Sequence, residues 1–184
     1  MIKKYNFLVV TFFRVTDPYS GASEVSFNLF KNIPSKKKKL FQFSNNDKKY
    51  KDVISIKIKN TKIGKILNLK KLADSIIDHC VNKKNIIIII EGASWVGYSF
   101  ILYQLLNFKL KNIKFIYHSH NIEYLLRKKK ENLIICALTK FFENFIAKRF
   151  DLFTVVSKVD QIKLKELYNI HPIILSNGAQ LPVK

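Results

Sequence analysis

Lys114-Phe115-Ile116-Tyr117-His118-Ser119-His120-Asn121-Ile122-Glu123-Tyr124-Leu125-Leu126-Arg127-Lys128-Lys129-Lys130 is the stretch whose reading decides the fold. Residues 115–117 form a short apolar run that reads as a buried strand, and the run stops at two histidines flanking a serine. Asn121 stands where it would cap a helix whose first turn carries Glu123, a charge that the amide end of a helix favours. Ligands of open α/β sheets bind where strands end and helices begin. No other part of the chain gathers polar, titratable side chains so densely, so this stretch is the candidate site.

Outward from it, strands and helices alternate. Residues 6–13 are apolar, β-branched and aromatic, and read as the first and central strand. A polar loop with an Asp17-Pro18 turn follows. Gly21 then opens a helix with Ala22, Val25, Leu29 and Ile33 on one stripe, which Pro34 ends. A strand, a glycine-containing loop and a helix together present backbone amides to an anion such as a phosphate, here from residues 21–23. Strands are expected at residues 40–44 and 53–58, the second with Lys57 and Lys59 outward as on a sheet edge. Residues 63–81 fit a helix with Ile66, Leu69, Ala73, Ile76, Ile77 and Cys80 on one face, and His79 beside that face has no partner in view.

Residues 86–90 read as a buried strand, 91–94 as a turn and 95–108 as a helix. Past the histidines comes a helix with Ile134, Leu138, Phe141, Phe142 and Phe145 on one face, expected to cover the sheet. A strand at 152–156 leads to a Ser157/Asp160 capping pattern, a helix through Tyr168, a last strand at 172–175 and a Ser176-Asn177-Gly178 turn. Strands separated by helices, at spacings too long for hairpins, predict an α/β fold with a doubly wound, mostly parallel sheet.

The totals set limits on this reading. At 184 residues, 48% hydrophobic and 13% aromatic, the chain is long and apolar enough for one domain with a core, which excludes a disordered protein. Its net charge of +20 invites a polyanionic partner, either nucleic acid or an anionic membrane surface. Heavy use of Lys, Asn and Ile is also what an AT-rich coding bias produces. Arginine occurs only at Arg14, Arg127 and Arg149, whereas nucleic-acid binders lean on arginine for bidentate contacts. Compositional bias with weak attraction to anionic membrane is therefore placed ahead of nucleic acid.

Cys80 and Cys136 sit in apolar helical patterns without metal-ligand spacing, the pattern of buried reduced thiols in a cytosolic protein, and no metal or cofactor site is indicated. Residues 1–4 are basic and 7–13 apolar, but no small-residue cleavage site follows, so no secretory signal is expected. The long apolar run 86–108 is interrupted by Glu91, Gly92, Gly97, Gln104 and Asn107, which argues against a membrane span.

Four segments, taken in order, resemble the amino-terminal half of the family 4 glycosyltransferases, enzymes of the GT-B fold. Ser20-Gly21-Ala22-Ser23-Glu24-Val25 with Asn28-Leu29 is similar to that family's glycine-rich loop and helix. His118-Ser119-His120-Asn121-Ile122-Glu123-Tyr124 is similar to its histidine-bearing strand end. Asp151-Leu152-Phe153-Thr154-Val155-Val156-Ser157 is similar to its aspartate, apolar strand and serine signature. Ile174-Leu175-Ser176-Asn177-Gly178-Ala179 resembles its link into a second domain. The chain departs from the family at Ser20-Gly21, where many relatives carry paired glycines.

The resemblance implies a Rossmann-like amino-terminal domain over residues 1–176 and the start of an interdomain linker at 177–184, with the donor-binding second domain absent. It implies the acceptor side of an enzyme that moves a sugar from a nucleotide-sugar to a glycan or lipid-linked acceptor in cell-surface polysaccharide synthesis. Such a chain is expected to be inactive alone, and to be cytoplasmic or peripheral on the inner face of the membrane. His120 is then the expected catalytic residue, with Ser20, Gly21, Ala22, Ser23, His118, Asn121 and Glu123 binding substrate. Either histidine could act as a base near neutral pH, and Glu123 could be a site carboxylate or only a favourable charge in the first helical turn. A basic α/β module on nucleic acid or an anionic membrane surface is the alternative.

Overall fold

In a computed structural model of the chain, residues 5–45, 49–58 and 61–176 are described. The basic start at residues 1–4, Lys59, and the 177–184 link expected to lead into a second domain lie outside the described residues. Seven runs rich in Ile, Val and Phe form the strands: β1 (Asn6–Thr11), β2 (Lys38–Ser44), β3 (Val53–Lys57), β4 (Ile86–Glu91), β5 (Ile113–Ser119), β6 (Leu152–Val155) and β7 (Ile173–Ile174). Between them lie α1 (Gly21–Asn32), α2 (Lys62–Cys80), α3 (Val96–Lys109), α4 (Glu123–Lys128), α5 (Leu133–Arg149) and α6 (Lys158–Tyr168).

All seven strands join one parallel sheet in the order β3-β2-β1-β4-β5-β6-β7, the doubly wound α/β arrangement that the alternation predicts. The chain builds outward from β1 to β3, returns across α2 to β4 on the other side of β1, and continues to β7. The direction of winding reverses between β1 and β4, where the carboxyl ends of the strands leave a crevice. Leu8, Val10, Phe41, Ile88, Ile90 and Phe115 pack on one face with Leu72 and Ile76 of α2, Leu102 of α3 and Ile146 of α5. Val9, Leu40 and Ile89 pack on the opposite face with Phe30 of α1. Lys57 is exposed on β3, which forms one edge of the sheet as expected.

Three local expectations are corrected. The inward side of α1 is Ser23, Ser26 and Phe30; of the expected stripe Ile33 is buried and Leu29 packs against the same cluster, while Ala22 and Val25 are half-buried. On α5, Ile134, Leu138 and Phe141 are exposed, Phe142 and Phe145 pack against the core as expected, and the fully buried side is Cys136, Thr139, Glu143, Ile146 and Ala147. In both helices polar residues point inward because they have partners there. Ser26 bonds Glu91, Trp95 Nε1 donates to Thr139 Oγ1, and Glu143 accepts from two backbone amides. The third correction concerns Asn121, which does not cap α4. Ile122 occupies the cap position with no side-chain bond, and Asn121 Oδ1 is buried without a hydrogen-bond partner.

Ser157 does cap α6, accepting from the amide of Asp160. Cys80 and Cys136 are buried and free, as expected. His79 is found with its Nε2 2.6 Å from Lys83 Nζ and its ring edge-on to Phe41.

Candidate functional site

Five isoleucines carry β4 through the core, and its sixth residue, Glu91, places a fully buried carboxylate at the carboxyl end of the sheet. A buried charge is stable only with partners. Ser26 Oγ donates to Glu91 Oε2 at 2.6 Å, and His120 Nε2 lies 2.8 Å from the same oxygen. The second bond becomes an ion pair whenever His120 is protonated. Glu91 Oε1 is buried with no hydrogen-bond partner.

Parallel register sets Glu91 beside His118, and His118 beside Thr154. The Thr154 hydroxyl donates to the Tyr117 carbonyl, so its oxygen accepts from His118 Nδ1 at 2.8 Å. That arrangement puts the His118 proton on Nδ1 and leaves the lone pair on Nε2. Burial pushes the His118 pKa below its usual range, against the pull of Glu91 and with a further push from His120. The two histidine rings lie 5.0 Å apart, edge to face.

Close approach of β4 and β5 at this end depends on Gly92, whose amide donates to the His118 carbonyl. A Cβ there would sit 2.7 Å from the Tyr117 ring and 2.9 Å from that carbonyl oxygen. Ser119 Oγ donates to the Asn121 carbonyl and shapes the turn that carries His120.

The amino end of α1 borders the same crevice. Ser20 and Ser23 form a reciprocal capping box: Ser20 Oγ accepts from the Ser23 amide, and Ser23 Oγ accepts from the amides of Ser20 and Tyr19. The Ser23 amide is therefore committed, and the expectation of free amides narrows to Gly21 and Ala22. Gly21 has no positive φ, and a Cβ there would meet nothing within 4 Å, so the space beside the helix end is open. Arg14, Tyr19, Phe43 and Asn45 line an adjoining cavity of about 170 Å³. Ser26, about 7.5 Å of helix rise beyond Gly21, ties α1 to Glu91 and through it to His120.

The structure thus gathers His118 and His120 and links them to the helix that begins at Ser20, Gly21, Ala22 and Ser23. Glu123 belongs to a second buried cluster. Its carboxylate pairs with Arg127, whose other nitrogen reaches Glu131, and its amide donates to Glu143 Oε1. Glu143 also accepts from the Tyr124 amide and from Tyr168 Oη, so a side chain of α5 caps α4 in place of Asn121.

Glu91, Ser26 and Thr154 escaped the sequence reading. One signal was present: a lone glutamate closing an isoleucine run. The ligand atoms of Glu91, His118 and His120 all lie within 4.8 Å of one another, a set that could hold a metal ion. Chain spacing did not reveal it, because Glu91 lies far from the histidine pair in sequence.

No family model matches the chain, and no curated protein matches it significantly. Solved structures do. Sucrose-phosphate synthase from Thermosynechococcus elongatus superposes with a TM-score of 0.65 at 10% identity, covering 95% of this chain and 48% of that one. An alpha-glucosyltransferase in complex with UDP-glucose and DNA containing an abasic site superposes with a TM-score of 0.52 at 14% identity, covering 94% of this chain and 42% of that one. These likenesses establish the fold, the Rossmann-like α/β half found in GT-B glycosyltransferases. The chain spans just under half the length of the solved enzymes it matches.

Proposed function

We propose that the chain is the amino-terminal, acceptor-side domain of a family 4-like glycosyltransferase that moves a sugar from a nucleotide-sugar to a glycan or lipid-linked acceptor in cell-surface polysaccharide synthesis. One observation carries the reading. A buried glutamate at the end of β4, Glu91, holds His120 and is itself held by Ser26 of α1, next to the point where the sheet reverses direction. Sugar transfer needs an oriented acceptor hydroxyl, a group to take its proton, and positive potential for the leaving phosphate. With its Nε2–H held by Glu91, His120 offers the Nδ1 lone pair to the acceptor. Neutral His118 accepts a sugar hydroxyl at Nε2. The amides of Gly21 and Ala22, with Arg14 nearby, face the phosphate. Asn121 and Glu123 shape the segment that presents the histidines.

The test is a sugar-transfer assay on this chain with and without a separately supplied donor-side domain. Turnover is expected only with both, and His120→Ala should lower it by about 10²–10⁴. Robust turnover by the chain alone would refute the half-enzyme reading, and undiminished turnover in His120→Ala would remove the site.

A second reading, peripheral contact with an anionic membrane on the cytoplasmic side, is favoured by one specific feature. Leu133, Ile134, Leu138 and Phe141 form an exposed apolar face on α5, directly after the exposed lysines 128, 129 and 130. This reading is compatible with the first, because a lipid-linked acceptor resides at such a surface.

A further inference from the structure

We propose that Glu91, His118 and His120 form a binding site for a divalent transition-metal ion of the zinc class. Two imidazoles and one carboxylate match the preference of such ions for mixed nitrogen and oxygen ligands, whereas magnesium and calcium favour all-oxygen shells. The geometry supplies more than proximity. His118 donates Nδ1–H to Thr154, whose own proton goes to the Tyr117 carbonyl, so its Nε2 keeps a lone pair for a ligand. That is the outer support which fixes the ring of a metal-ligating histidine.

Glu91 is the second, independent observation. Its Oε2 is held by Ser26, and its Oε1 is buried with no hydrogen-bond partner. A carboxylate oxygen left unpaired in the interior is costly, and a cation supplies what it lacks. Ligands of a tetrahedral zinc site stand about 3.3 Å apart, given bonds of about 2.05 Å. The three atoms here are already within 4.8 Å, Glu91 and His118 on strand ends paired in register and His120 on the turn just after β5. Closing the set requires a shift of no more than about 1.5 Å. The ion would have three protein ligands, one from each residue, with Glu91 Oε1 free to serve as its carboxylate ligand, and one position left for solvent or substrate. The ion would occupy the histidine nitrogens that the sugar-transfer reading uses, so the two are alternative occupancies of one site and this one stands independently of that reading.

The experiment uses the full chain, stripped with a chelator, and needs no substrate, so failure here leaves the transfer assay untouched. Zn²⁺ is titrated by calorimetry and Co²⁺ by its visible d–d absorption. One equivalent is expected, with tetrahedral-type Co²⁺ bands and no competition from excess Mg²⁺. His118→Ala, His120→Ala and Glu91→Gln should each weaken binding at least tenfold, and Thr154→Val about tenfold. His171→Ala and His79→Ala should leave it unchanged, which guards against adventitious surface binding. If the site variants lose their folded circular dichroism, imidazole NMR of the unmodified chain decides. Of the four histidines, only His118 and His120 should shift with Zn²⁺. No binding, binding that survives loss of both His118 and His120, or shifts confined to His79 and His171 would overturn the proposal.

Discussion

Glu143 is the residue on which the fold's pH dependence should turn. It is fully buried, and burial raises its pKa to about 7, against the lowering effect of bonds from Tyr168 and the amides of Glu123 and Tyr124. A folded-state pKa above the unfolded value of 4.5 means that the folded chain holds the proton more tightly. The associated stability is present in full below about pH 4.5 and is lost as pH rises through 7, a change of about 3 kcal/mol by linkage. His118 works in the opposite sense, since its lowered pKa favours the folded state as it becomes neutral. Comparison with Glu143→Gln isolates the glutamate. Urea unfolding at pH 5 and pH 8 should show the unmodified chain losing about 2–3 kcal/mol more than the variant over that interval. Parallel curves would mean that Glu143 is ionised throughout. At this scale the histidines were legible, since two of them ending an apolar strand stand out in any reading. Glu91 and Glu143 were not, because a buried carboxylate differs from a surface one only through partners that the fold brings from elsewhere.

Element existence was legible and element orientation was not, and α5 shows why. It carries two apolar faces, one through Ile134, Leu138 and Phe141 and one through Phe142, Phe145 and Ile146. Hydrophobic periodicity cannot rank two such faces. Thr139 and Glu143 decide the matter, and both are polar. The same holds for α1, where Ser23 and Ser26 face inward. Turn chemistry was also quieter than usual, since the left-handed positions after α2, α3 and α6 are filled by Asn82, Asn112 and Asn169 with no glycine among them. The orientation of α5 makes a sharp prediction. Ile146 is fully buried and Ile134 is 72% exposed. Ile146→Ala should cost about 2–5 kcal/mol in urea unfolding, whereas Ile134→Ser should stay within about 0.5 kcal/mol. Similar costs at both positions would mean that the Ile134 face is covered in solution.

For the whole molecule, strand and helix alternation at spacings too long for hairpins was enough to foresee a doubly wound parallel sheet, and the β1/β4 reversal lies at the end of β4, where Glu91 meets His120. Net charge has no such topological rule, and its meaning depends on where the cations stand beside apolar surface. No helix of the described residues is long and apolar enough to cross a membrane. Exposed lysines 128, 129 and 130 contribute about 1 kcal/mol each near an anionic leaflet, too little alone for stable adsorption. Insertion of Leu133, Ile134 and Phe141 adds about 1.5–3 kcal/mol for each side chain fully buried, and the two contributions together reach a useful affinity. The chain should therefore sediment with anionic vesicles but not with zwitterionic ones, and raising salt should weaken the binding as surface charges are screened over about 8 Å at physiological ionic strength. Leu133→Glu combined with Ile134→Glu should abolish sedimentation without lowering stability, because both side chains are largely exposed. Replacing all three lysines by glutamine should weaken it without removing the apolar contribution. Affinity for duplex DNA that falls linearly with salt on logarithmic axes, together with indifference to anionic vesicles, would assign the +20 charge to nucleic acid instead.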